Sequence, residues 1–354
     1  MTGFGYNVLG FGVSGDGIQP AIASIQQVEI TIADPATSNT ATISSVTTTQ
    51  TTIIPLGNTC DVAGNTCEAR LTLTNATTVT ANRDITETGS DVVVRGMVVE
   101  WTSQYVENVE YGTVSIADTA SSGTDTPTGT FDGDSLVIHL GNTIDNLPTP
   151  GFVDRHARLE LTNSTTVTAR RGGASNGLTV SYCAVKFRAN VIESVQEAVV
   201  TIANPDNTDT ATITSVDTSN TLMLWGGMEL TGSVTERHMA TVRLTNGTTI
   251  TGDRDDGTQT TEVMVTAVEF IEGEVTSAQR NRVTFGAGNT TADDTVTSVD
   301  TDITLLSYLG VETPNTTETN SYTRLSLENS TTVRGTRTVS GGATIYSYDL
   351  IEMT

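Results

Sequence analysis

The sequence predicts an all-β protein, built as four tandem small antiparallel β-sandwich domains, Ig-like or jelly-roll-like, after a short N-terminal arm. Three observations lead there. A Leu-x-Asn-x-Thr-Thr frame occurs four times, at Leu73–Thr78, Leu161–Thr166, Leu244–Thr249 and Leu327–Thr332, with its asparagines 88, 83 and 83 residues apart. A period that long exceeds the unit of a solenoid, so each unit is expected to be self-sufficient. Threonine, valine and isoleucine are abundant, and β-branched residues favour a pleated, half-solvated surface. Short runs alternate apolar with polar and break at Gly, Asn and Asp, while helical periodicity is absent.

The elements follow in chain order. Residues 1–20 form an arm in which Phe4, Tyr6 and Phe11 alternate with glycines. Its Gly10-Phe-Gly12-Val-Ser-Gly15 string matches a dinucleotide fingerprint, but no helix can follow through Gly17-Ile-Gln-Pro20. The arm is read instead as a docking segment whose aromatic anchors order against a partner. The four units span 21–104, 105–189, 190–272 and 273–354. Each opens near a small polar triplet (Ser24-Ile-Gln26, Asn108-Val-Glu110, Ser194-Val-Gln196, Ser277-Ala-Gln279). Each has a short apolar run closed by Gly57, Gly141, Gly226 or Gly310. Each ends on an apolar pair, a charge and a large apolar residue, at Trp101, Phe187, Phe270 and Met353. An Ala-Thr-Ile-x-Ser-Val strand (41–46, 211–216) and its fourth-unit counterpart (295–299) precede the glycine-closed run in every unit but the second. The asparagine of the refrain is placed to make an Asx-stabilised turn between two strands, and its sequon is a by-product of the threonine-rich turn. A unit of this size buries roughly 60–65 % of its unfolded surface, enough for one modest core.

The charge is one-sided: 41 acidic against 17 basic residues, net −24, with Lys186 the only lysine. Phosphate backbones would repel such a chain, so no nucleic-acid partner is expected. An anionic surface keeps β-rich proteins apart and soluble. No apolar run is long enough to span a membrane, and the N-terminus lacks the basic start and continuous apolar stretch of a cleaved secretion signal. Cys60 and Cys67 flank one loop of the first unit and would close it by a disulfide in an oxidising environment, whereas Cys183 lies in a strand.

Chemistry is sparse. Asp253-Arg-Asp-Asp-Gly257 and Asp132-Gly-Asp134 are loose calcium-like strings without EF-hand context, read as solvated turns; surface calcium is the one cofactor they leave open, and no other is expected. His139 sits inside an apolar strand as a packed residue. His156 and His238 occupy matching places at the ends of two long loops, without the partners of a shared metal site. No nucleophile elbow or Cys/His pairing is seen, so no enzyme is expected. Variation is concentrated in the loops 58–69, 142–156, 227–239 and 311–322, where a constant scaffold with variable loops would present a ligand surface. Trp225 and Tyr322 are the aromatic contacts placed there, beside His156 and His238.

The order of motifs, seen in Ser194-Val-Gln196, Ala211–Val216, Leu161–Arg170 and Val268-Glu-Phe270, resembles a module of tailed-bacteriophage virion-surface and tail-associated structural proteins. The Phe-Gly-Tyr-Asn-Val-Leu-Gly-Phe-Gly start is similar to the N-termini of phage virion proteins. The fourth unit departs most, with Val333-Arg-Gly-Thr and Leu-Glu-Asn in place of the usual Val-Thr-Ala and Leu-Thr-Asn. The resemblance implies a virion-surface location and a tail-fibre or surface-projecting role, with assembly in the host cytoplasm. It also implies docking on other virion proteins through the arm and host attachment to a surface glycan or protein through the loops. Capsid decoration or cement is the alternative, and a cellular adhesin or surface-layer protein a further one. A homo-oligomer is expected from exposed edge strands and repeated faces.

Overall fold

A computed structural model describes residues 20–61, 67–83, 90–145, 151–232, 235–316, 319 and 321–354; Phe4, Tyr6 and Phe11 of the arm lie outside them. Each repeat contributes six strands. The first has β1 Ile22–Ile32, β2 Ser38–Thr42, β3 Thr51–Cys60, β4 Arg70–Asn75, β5 Thr78–Asn82 and β6 Val92–Trp101. The second has β7 Val106–Ile116, β8 Ser122–Asp125, β9 Ser135–Ile144, β10 Arg158–Asn163, β11 Thr166–Arg170 and β12 Leu178–Phe187. The third has β13 Ile192–Ile202, β14 Thr208–Thr212, β15 Thr221–Thr231, β16 Ala240–Asn246, β17 Thr249–Arg254 and β18 Thr260–Phe270. The fourth has β19 Val275–Thr284, β20 Thr291–Thr295, β21 Thr304–Glu312, β22 Arg324–Asn329, β23 Thr332–Thr336 and β24 Ile345–Met353.

The chain is all-β, but the expected tandem sandwiches are overturned. Four six-stranded antiparallel sheets form a four-bladed β-propeller ring, and every sheet is shared between two repeats. Strands one, six and three of a repeat continue into strands four, five and two of the repeat before it, as in β7-β12-β9 joined to β4-β5-β2. The first repeat is joined in the same way to the fourth, through β3 and β22, which closes the circle. A β-bulge in each third strand explains the sharing. Its register shifts after Pro55, His139, Trp225 and Tyr308, which frees the following segment to meet the neighbour. There Gly57, Gly141, Gly227 and Gly310 pair with Arg324, Arg70, Arg158 and Thr241. The glycines have φ between +84° and +96°, and a Cβ on any of them would lie 2.1–2.2 Å from a carbonyl oxygen of the adjoining repeat. Only glycine satisfies both demands. In the third repeat this residue is Gly227, one past the predicted Gly226.

The repeated motifs take structural roles. Asn75, Asn163, Asn246 and Asn329 each accept from the backbone N–H and hydroxyl of the threonine two residues on, an Asx turn of 2.9–3.2 Å bonds. Gln26, Gln196 and Gln279 each bridge to the backbone eighteen residues later through both amide atoms. They tie together the two exposed edges of a repeat. The strand predicted at 41–46 ends at Thr42; Ile43 and Val46 then donate to the carbonyls of Thr77 and Ala76 in the Asx turn. The second repeat, predicted to lack this strand, has it as β8.

Candidate functional site: an axial cavity framed by four loops

Strands β3, β9, β15 and β21 pack against one another around the ring axis. Alternate side chains of these strands face the axis and stack in layers. Ile54, Ile138, Leu224 and Ser307 make one layer; Thr52, Leu136, Leu222 and Leu305 make the next. Beyond them the large terminal residues of the repeats close the axis. Trp101 stands edge-on to Phe187 at 5.5 Å and is stacked on Phe270 at 6.5 Å, while Phe187 meets Phe270 at 6.2 Å. Trp101, Phe187, Phe270 and Met353 are all buried. The motif read as a strand ending is therefore a hydrophobic plug.

The opposite end is hollow. A cavity of about 130 Å³ lies on the axis above the Ile54 layer, and residues of all four repeats line it. Its lining includes Pro55, His139, Trp225 and Tyr308, which hold the same position before each bulge. Two rings lie against the joint glycines: His139 Cδ2 and Trp225 Cζ3 would be 3.0 and 2.7 Å from a Cβ at Gly227 and Gly310. The Trp225 and Tyr308 rings are 6.4 Å apart and inclined at 58°. The bulge glycine thus admits both the neighbour's backbone and the neighbour's ring.

The loops that follow the third strands converge here, although they are more than 80 residues apart in sequence. Glu68, His156, Met239 and Tyr322, each preceding the joint carbonyl residue, all line the cavity. Tyr322 Oη donates to Glu68 Oε1 at 2.7 Å across the seam between the first and fourth repeats. Cys60 and Cys67 are bonded, with Cα atoms 5.3 Å apart, and fasten the first of these loops.

The two cavity histidines are neutral. Gly141 N–H donates to His139 Nδ1 at 3.1 Å, which assigns the proton to Nε2. His156 Nδ1 donates to the Phe152 carbonyl at 3.1 Å, and its ring packs on Phe152 at 4.5 Å. Burial pushes both imidazoles down to about 4.

Four of the sequence-predicted contacts therefore separate. His156, Trp225 and Tyr322 line the cavity; His238 does not. Ala157 and Ala240 supply the equivalent joint carbonyls, so His156 corresponds to Met239 and the expected match with His238 is off by one residue. His238 instead caps a single 3₁₀ turn, accepting from Thr235 N–H at Nδ1, 3.0 Å away. His139 was predicted as a packed strand residue; it is buried and also forms cavity wall. Sequence reasoning passed over Pro55 and Tyr308, whose only signal was their place before the recurring glycine.

The acidic strings are engaged by arginines. Asp253 pairs with Arg243 and lies 3.7 Å from Arg282, while Asp255 and Asp256 meet Arg237 at 2.6 and 3.2 Å. Asp132 takes Lys186 at 3.1 Å. Among the described residues no group of three metal-ligating side chains is assembled, and no helix is long and apolar enough to cross a membrane.

No protein-family model matches this chain, and no curated protein matches it. Among solved structures, the infectious bursal disease virus VP2 subviral particle aligns with 95 % of this chain and 82 % of that one at 9 % identity. Its TM-score is 0.10, a likeness too slight to carry an argument.

Proposed function

We propose that this chain is a non-enzymatic structural protein of a bacteriophage virion that attaches to a host-surface ligand through the loop face of its ring. The observation that carries the reading is the convergence of the four sequence-variable loops on one axial cavity. Loops scattered along the chain become a single composite surface, set on a closed and therefore rigid scaffold, which is how binding surfaces are presented. The motif resemblance to phage virion-surface modules supports the virion setting, and the net charge of −24 supports a surface that stays dispersed at high copy number.

The test is adsorption. Particles carrying the chain with its loop residues 235–239 replaced by a Gly/Ser segment should adsorb to host cells at least about tenfold more slowly, the loss of one anchored contact region. Copy number per particle, measured by quantitative mass spectrometry, should stay constant. Unchanged adsorption at full occupancy would remove the attachment reading and leave the decoration role.

A further inference from the structure

We propose that the axial cavity binds an organic ammonium cation, a quaternary or N-methylated head group of choline size. Its walls would be the rings of His139, Trp225 and Tyr308, with the Glu68–Tyr322 pair facing the same space. This deepens the attachment reading by naming a ligand class for the same face.

Four features converge on that chemistry. The first is placement: Pro55, His139, Trp225 and Tyr308 come one from each repeat and all line the one cavity, with the Trp225 and Tyr308 rings 6.4 Å apart. Trp and Tyr rings attract a cation through their quadrupoles, most strongly where water is displaced. The second is size. A cavity of about 150 Å³ takes benzene, six heavy atoms, so the roughly 130 Å³ here suits the nitrogen and methyls of a quaternary head and leaves a whole sugar ring outside. The third is charge. Among the described residues no lysine or arginine lines the cavity, and Glu68, one of its lining residues, is 7 % exposed and accepts from Tyr322. The two histidines, neutral for the burial reasons given above, add no competing positive charge. The fourth is long range: an excess of 24 negative charges raises the local concentration of any cation before it reaches the mouth.

The alternative guests differ in what they need. A carboxylate or phosphate would need a charged basic group; among the described lining residues there is no lysine or arginine, and burial keeps His139 and His156 neutral. A cavity that acted by apolar contact alone would take a neutral group as well as a cation of the same shape. The decisive comparison is therefore between choline and its neutral carbon isostere, 3,3-dimethylbutan-1-ol, titrated into the full chain by calorimetry at fixed ionic strength. Choline and tetramethylammonium should each saturate one site per chain, and choline should bind at least about fivefold tighter than the isostere, the scale of a partly desolvated cation–aromatic contact. Trp225→Leu should abolish saturable binding, while Trp225→Phe, which keeps an aromatic wall, should retain it and report a folded ring. Glu68→Gln should weaken choline and leave the isostere unchanged. Equal affinity for choline and the isostere, no saturation by either cation, or binding that survives Trp225→Leu would each overturn the proposal. Because these measurements use the isolated chain, choline binding can stand while adsorption proves independent of the loops, and the reverse; the two readings fail separately.

Discussion

Buried arginines and histidines show how this ring is held. Arg83, Arg171, Arg254 and Arg337 occupy equivalent positions at the ends of the fifth strands and are at most 2 % exposed. None is bridged to a carboxylate among the described ion pairs. Arg171 donates to the carbonyls of Ala120, Ser175 and Ala117 at 3.0–3.2 Å, and Arg83 makes the same pattern with Ala36, Ser90 and Ala33. Each guanidinium gathers several loop carbonyls onto one rigid donor fork, and a hydrogen bond to a charged group contributes about 1.5–3 kcal/mol. Burial lowers the affinity of all four for their proton, and Arg337 adds a ring contact, its guanidinium 4.7 Å from the Phe285 centroid. They fix the outer loops at the cavity end, which pre-organises that face. The histidines do the opposite work on acidification. His139 and His156 stand near 4 when folded against an ordinary 6.5. Between those values the unfolded chain binds more protons than the folded one, so stability falls as the pH drops from 6.5 towards 4. The loss is up to about 3 kcal/mol for each histidine. Asparagine can keep both hydrogen bonds, offering Oδ1 to Gly141 N–H at position 139 and Nδ2–H to the Phe152 carbonyl at 156. A His139→Asn/His156→Asn variant should therefore lose much less stability than the parent in urea titrations at pH 7, 6, 5 and 4.5. Parallel curves for the two proteins would show that neither histidine is kept neutral by the fold.

At the scale of elements, the decisive unit is the bulged third strand with its glycine. Gly227 has φ +91° and would set a Cβ 2.2 Å from the Ala157 carbonyl oxygen and 3.0 Å from the His139 ring. Gly133 is also left-handed, φ +47°, yet nothing lies within 4 Å of its Cβ position. Backbone strain alone costs roughly 1–2 kcal/mol, so Gly133→Ala should lose about that much by denaturant titration. Gly227→Ala must in addition part the seam between the second and third repeats, and should lose more than about 3 kcal/mol. Equal losses would show that the close approach is not what the glycine serves. Most strands were legible in the sequence, because alternation and turn residues are local signals: the Asn163 turn and the strands flanking it can be read from a dozen residues, whereas the polar β8, Ser-Gly-Thr-Asp, carries no alternation and was missed. The joint was not. It is one bridge, Arg158 opposite Gly227, between residues 69 apart, and its sequence trace is one glycine of the Gly226-Gly227 pair. The cavity was half legible. Trp225 and Tyr322 stand out as aromatics near variable loops, but Pro55, His139, Trp225 and Tyr308 are four different residue types at one repeat position, so no recurrence betrays them. His156 and His238 look equivalent by distance from their loop ends, and only backbone pairing shows the one-residue offset.

Ring closure makes the four repeats one molecule, and the seams are chemically distinct. The equivalent first-strand residues Gln27, Tyr111, Glu197 and Arg280 each reach the preceding repeat by a different bond. Gln27 exchanges two with Leu327 at 2.9 and 3.1 Å; Tyr111 donates to the Thr51 carbonyl. Glu197 accepts from Leu161 N–H, and Arg280 donates to the carbonyls of Thr218 and Thr221 and pairs with the buried Asp349 at 3.2 Å. A mismatched seam would bury an unpaired polar group, so each repeat accepts one neighbour. The largest hydrophobic cluster already includes residues of all four repeats, which argues for one cooperative unfolding unit in place of four. The first and fourth repeats meet at a seam no different in kind from the rest. Residues 102–105, 188–191 and 271–274 carry the chain from Trp101 to Val106, Phe187 to Ile192 and Phe270 to Val275. By the same symmetry Met353 and Ile22 are one such span apart, and Pro20, Ala21 and Thr354 already cover most of it. A circular permutant that begins at Gln104, ends at Ser103 and joins Thr354 to Pro20 through about two added glycines should therefore fold. It should unfold in one calorimetric transition whose van't Hoff and calorimetric enthalpies agree. A chain ending at residue 272 tells the other half. It leaves the β3 and β16 joints facing a gap, and open sheet edges invite association, so sedimentation should find it in assemblies larger than one chain. Independent sandwiches would behave otherwise: the permutant would melt in steps, and the three-repeat chain would stay monomeric with its stability unchanged.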